Sequence, residues 1–119
     1  MAWLVRVGAP GAPGEELVLA SLEVAEGWRA RSRGLLGRDG IDGALLLRPA
    51  KSVHTFRMRF PIDAAFVDRD LVVRKVVTLA PNRVAAPVWS AHAVIETEAG
   101  CFAHWGVVPG DRLEIRDAR

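Results

Sequence analysis

Sulfur is nearly absent. A single cysteine, Cys101, in 119 residues excludes an intramolecular disulfide framework and any cysteine-built structural zinc site, because both need several thiols. Stability must therefore come from packing. Long hydrophobic runs are missing too: no uninterrupted apolar stretch approaches the ~18 residues of a membrane-spanning helix. The N-terminal Met1-Ala2-Trp3-Leu4-Val5-Arg6 has neither the basic start nor the long apolar segment of a signal peptide. The expectation is a soluble, cytoplasmic protein with no membrane span. An excess of one charge is equally lacking. Sixteen Lys and Arg against 14 Asp and Glu leave a formal net charge of +2, far from that of a dedicated nucleic-acid binder although the pI is near 9.3. Charge alone names no partner, and no specific nucleic acid is expected. His54, His92 and His104 do not fall at a His-x-x-x-His or His-x-His spacing, so nothing local predicts a metal site. The glycines match neither a phosphate-binding loop nor a dinucleotide fingerprint, so no cofactor is expected.

What is present is enough for a fold. The chain is 50% hydrophobic and 25% charged, close to the globular average, and its length suits one domain over residues 1–119. Residues 2–7 read as an edge strand, 8–14 as a Pro/Gly-rich loop and 16–24 as a second strand. Residues 26–36 are the best helical candidate, with Trp28, Ser32 and Leu35 at helical spacing and Gly34 and Gly37 limiting its length. Beyond Gly43, strand-like runs alternate with turn residues. They lie at 44–48, 53–60, 62–67, 71–79, 92–98 and 113–116, with a helical turn at 100–105. Asp68-Arg69-Asp70 would close a hairpin, and Pro109-Gly110-Asp111 a later turn. In 53–60 the period of two puts His54, Phe56, Met58 and Phe60 on one face, and Thr55, Arg57 and Arg59 on the other.

Four segments resemble one family. Arg31-Ser32-Arg33-Gly34-Leu35-Leu36-Gly37-Arg38 resembles an Arg-x-x-Gly-Leu-Met-x-Arg motif. Phe60-Pro61-Ile62-Asp63-Ala64-Ala65-Phe66-Val67-Asp68 resembles Ile-Pro-Leu-Asp-Ile-x-Phe-Ile-Asp. Val94-Ile95-Glu96-Thr97-Glu98-Ala99-Gly100 and Gly106-Val107-Val108-Pro109-Gly110-Asp111 resemble its closing motifs. In this order, over about residues 22–115, they are similar to the bacterial and archaeal domain of unknown function 192 family. The resemblance implies a mostly-β sandwich with jelly-roll-like topology and one short helix, and no established activity. Where the commonest family pattern reads Trp-Met-Lys-Asn-Thr, this chain has His54-Thr55-Phe56-Arg57-Met58, which looks like a variant branch.

The candidate ligand-binding residues are His54, Arg57, Asp63 and Glu96. Carboxylates such as Asp63, Glu96 and Asp111 supply acid–base chemistry if they converge. Otherwise Asp63 and Asp111 hydrogen-bond to backbone at strand starts, and Glu96 pairs with an arginine. His54 is either a core histidine or a proton-transfer group at a pocket mouth. Arg29, Arg31, Arg33, Arg38, Arg57 and Arg59 form the main basic concentration, and guanidinium forks suit carboxylate or phosphate. Arg57 is the strongest of them, with Asp63 or Glu96 as its expected partner. Cys101 reads as a small buried residue. Three functions follow. The first is a binding module for a small polar or anionic ligand. The others are an acid/base enzyme, a hydrolase or isomerase on a small polar substrate, and an accessory protein docking on a larger assembly through Trp89 and the arginine helix.

Overall fold

Three short segments have no polar face to give to water, and they form the middle of the molecule. Ala44–Leu47 (β3) and Ile62–Val67 (β4) are buried throughout, and Ala93–Glu98 (β6) is buried until its last residue. Strands covered on both faces read as continuous apolar runs rather than alternating ones. In the computed structural model, which describes residues 2–8, 16–27, 35 and 37–117, they lie side by side with four others. These are Ala2–Val7 (β1), Leu17–Ala25 (β2), Val73–Leu79 (β5) and Arg112–Asp117 (β7). The strands make one open seven-stranded sheet in the order β5-β4-β6-β3-β2-β1-β7. The mostly-β class is as expected, and the described helix is the short Cys101–Trp105 (α1). The strand order does not by itself establish a jelly-roll pattern.

Every neighbouring pair is antiparallel except β2 and β3. A parallel pair needs a crossover of a dozen or more residues, and residues 26–43 provide it. Most of the helix expected at 26–36, with Trp28, Arg29, Arg31 and Arg33, lies outside the described residues; Leu35 is buried. The hairpin β4–β5 turns at Asp68-Arg69-Asp70 as the sequence indicates. The Asp68 carboxylate accepts the Asp70 and Val72 amides at 2.9 and 3.0 Å. Leu71 is left-handed, with φ 62, so β5 starts at Val73 rather than at residue 71. The sheet curls until its two outer strands meet at one end. Val72 bridges Arg112, and Val73 N donates to Asp111 O at 2.8 Å.

Two hydrophobic layers lie on the two faces. Inside the curl, Leu4, Leu22, Leu46, Val67, Ile95 and Leu113 pack with Phe102 of α1. On the outer face Leu45, Leu47, Ile62, Phe66 and Val94 are covered by Leu35 and by loop residues Val53, Met58, Phe60, Ala85 and Ala91.

Those loop residues correct the strand expected at 53–60. The buried positions are 53, 55, 58 and 60, so the period of two breaks between Thr55 and Met58. There the chain turns, with Met58 N donating to Thr55 O at 3.1 Å and Arg57 left-handed at φ 63. His54 and Phe56 are thereby turned to solvent, while Met58 and Phe60 remain in the core.

Candidate functional site

The outer face is capped by two loops paired edge to edge. Val88 N donates to Lys51 O (2.8 Å), Ala85 N to Val53 O (2.9 Å) and Thr55 N to Arg83 O (2.8 Å), which is antiparallel pairing without a regular strand. Val53, Met58 and Phe60 root one loop in the core, and Ala85 and Ala91 the other.

Thr55 is the fastener. It is fully buried, its Oγ1 donates to Ala80 O at 2.6 Å and accepts the Arg83 amide at 2.9 Å, and its carbonyl accepts the Asn82 amide at 2.8 Å. Replacing the hydroxyl by a methyl keeps the shape but takes the partner from the Ala80 carbonyl and the Arg83 amide, both in part-buried hydrogen bonds. Thr55→Val is therefore expected to lower stability by about 2 kcal/mol, read from urea unfolding; a loss under 0.5 kcal/mol would mean that water takes over both partners.

On this fastened pair sit the exposed groups. The His54 and Phe56 rings stack at 5.3 Å between centroids with 29° between planes. Arg57 follows in the turn, its amide held by Asn82 Oδ1 at 3.0 Å. Opposite, Arg83 Nη1 donates to Asn82 O at 3.2 Å, and Val84 bridges His54 through backbone. Arg38, Arg48, Arg59, Arg74 and Arg116 each hold a carboxylate. Among the described residues Arg57 holds none.

Neither of the two carboxyls expected beside Arg57 pairs with it. In the β4–β6 register Asp63 lies opposite Thr97, and Glu96 opposite Ala64. Since side chains alternate across a sheet, Asp63 and Glu96 point to opposite faces. Asp63 faces the inside of the curl, where its oxygens accept Thr78 Oγ1 at 2.6 Å, the Gly100 amide at 3.0 Å and the Phe102 amide at 3.3 Å. It therefore binds backbone, as its alternative reading held; so does Asp111, which accepts the Val108 amide at 2.9 Å. Glu96 lies on the outer face between Leu45 and Ala64, 3% exposed, and its Oε2 has no hydrogen-bond partner among the described residues. Burial disfavours the ionised form and pushes its carboxyl up to about 7. The expected pairing of Arg57 with Asp63 or Glu96 is thus not made. Nor is His54 a core histidine, because it stands exposed.

Two shallow depressions lie away from these residues. One, of about 310 Å³, is bounded by Lys51, Asp70, Trp89 and His92. The other, of about 330 Å³, includes Ser21, Asp42, Glu98 and Cys101; Cys101 is half-buried there rather than enclosed. Sequence reasoning did not single out Arg83, or Phe56 and Val84 as surface groups. A signal for them exists: no acidic residue occurs between Asp42 and Asp63 or between Asp70 and Glu96.

Comparison with known proteins agrees with this architecture. A crystal structure of a protein of unknown function from Novosphingobium aromaticivorans DSM 12444 superposes with a TM-score of 0.79 at 21% identity, covering 94% of this chain and 83% of that one. A "putative transcription regulator" from Sinorhizobium meliloti 1021 gives 0.76 at 23% identity, covering 96% and 93%. At such identities the likeness concerns the fold. No curated protein matches the sequence. The family description "Uncharacterized ACR" matches residues 12–115, a span that includes the sheet from β2 onward, the loop pair and most of β7, and so the chain belongs to the DUF192 family.

Proposed function

We propose that this protein is a small cytoplasmic binding module for a polar or anionic ligand, taken up on the loop pair by Arg57 with His54 beside it. The observation that carries the reading is the state of Arg57. It is exposed, it holds no carboxylate among the described residues, and its backbone is kept left-handed at φ 63 by the Asn82 side chain. A non-glycine residue in that region costs about 1–2 kcal/mol, and strain of this kind gathers where a side chain must be aimed. A guanidinium offers its fork to carboxylate or phosphate at such a place. The free thiol of Cys101 suits a reducing compartment.

Arg57→Gly separates binding from scaffold. Glycine adopts this conformation freely, so the variant is expected to stay folded with stability unchanged or raised by about 1 kcal/mol. Calorimetric titration with citrate and inorganic phosphate should show wild-type binding that weakens with added salt and is lost in the variant. Equal affinities in both proteins, no wild-type binding, or an unfolded variant would each sink the proposal.

A second reading, acid–base chemistry on a small polar substrate, draws on Glu96 alone. A carboxyl near 7 is poised to exchange a proton at neutral pH, and it lies on the outer face, the one that the loop pair caps. It would then act without Asp63, which faces the other layer.

A further inference from the structure

We propose that the loop pair binds single-stranded nucleic acid, with guanidinium and ammonium groups on phosphates and exposed rings against bases. This rests on the anion-binding reading of Arg57 and adds the ligand class.

The charges come first. The acid-free stretches at 43–62 and 71–95 carry Arg48, Lys51, Arg57, Arg59, Arg74, Lys75 and Arg83. Carboxylates from outside them reach Arg48, Arg59 and Arg74. Among the described residues Lys51, Arg57 and Arg83 form no ion pair, although Asp70 shares the depression that Lys51 and Trp89 border. Lys51 spends two N–H groups on the carbonyls of Trp89 and Ala91, at 2.8 and 2.6 Å. Both loops therefore present positive charge that no described carboxylate pairs with, although the net charge of the whole chain is only +2. Polyanions are attracted by such local fields, not by the total.

The rings supply what a simple anion would not need. Trp89 is 78% exposed, Val84 59% and Phe56 48%, all on these two loops. Phe56 is steadied by its stack on His54 and is followed at once by Arg57. Trp89 shares its end of the pair with Lys51. At each end, then, a flat apolar face stands beside a cation, the combination by which sequence-tolerant binders hold unpaired bases and the phosphates linking them. A peptide of acidic side chains alone would satisfy the cations but bring no planar ring. A duplex hides its base faces in the stack, and direct readout of its edges needs a helix or β-ribbon in the groove, which these irregular loops do not offer.

Fluorescence anisotropy of a labelled oligothymidylate about a dozen nucleotides long tests this, with inorganic polyphosphate and polyglutamate as competitors and a duplex as control. The single strand should bind most tightly, and more weakly as salt rises from ~50 to ~200 mM. Trp89→Ala and Phe56→Ala should each weaken binding by about tenfold. Arg57→Gly should weaken it and flatten the salt dependence. If the oligonucleotide binds no tighter than polyphosphate, polyglutamate or the duplex, or if both ring variants bind as wild type, the nucleic-acid assignment is overturned. Phosphate and citrate binding that still depends on Arg57 would then leave the anion site standing. Loss of every anion would overturn both.

Discussion

Glu96→Gln is expected to be more stable than the natural protein at pH 8, by about 3 kcal/mol, and to lose most of its pH dependence. The Glu96 carboxyl titrates near 7 in the folded chain against an ordinary value of 4.5, because burial between Leu45 and Ala64 removes it from water. A carboxyl raised by folding favours the fold while it is protonated. The stabilisation is fully present below about 4.5, shrinks as the unfolded chain ionises above that, and is gone once pH rises through about 7. At about 1.4 kcal/mol per pH unit the interval is worth about 3 kcal/mol. A neutral amide cannot ionise and escapes the decline. Urea unfolding of both proteins at intervals from pH 5 to pH 8 reads the difference directly. Parallel curves would mean that Glu96 does not titrate in this range. A variant less stable at pH 8 would mean that the carboxylate is ionised and held by a cation, the arginine pairing that its sequence context also allowed.

Asp63→Ala should be costly, by about 4 kcal/mol. The N-cap of α1 is Gly100, which is left-handed at φ 94 and has no side chain with which to cap the first turn. Asp63 supplies the acceptor from β4, taking the Gly100 and Phe102 amides and the Thr78 hydroxyl. Hydrogen bonds to a charged acceptor are worth roughly 1.5–3 kcal/mol each, and donors left buried without a partner add their desolvation cost. The loss should appear as a lower urea midpoint with an unchanged slope. A variant within 1 kcal/mol of wild type would show that water or another acceptor replaces the carboxylate.

These two residues mark the boundary of what the sequence could tell. Asp63 and Glu96 were recognisable as acids embedded in apolar strands, and those strands were legible because burial on both faces leaves Ile62–Val67 and Ala93–Glu98 with few polar positions. Which face each acid takes depends on the register of β4 against β6, and a one-residue slip would reverse it. No pattern within either strand specifies that pairing. The turn at Thr55–Met58 was hidden for another reason. Left-handed backbone is usually announced by glycine or asparagine, whereas here an arginine occupies it and the asparagine that holds it, Asn82, is 25 residues away. The alternation of His54, Phe56, Met58 and Phe60 therefore looked like one strand face. The helical turn at Cys101–Trp105 and the Asp68-Arg69-Asp70 hairpin are local in sequence and were legible for that reason.

The meeting of the outer strands also bears on self-association. A sheet edge is a row of unpaired amides and carbonyls that a second chain can extend, the first step towards fibrils. Here β5 and β7 consume part of each other's edge where Val72 bridges Arg112. What is left of β5 carries Arg74 and Lys75, both exposed, and β7 begins with the exposed Arg112. Two copies approaching through their β5 margins would set like charges against one another. The curl that encloses Phe102 thus also guards the molecule against polymerising strand by strand.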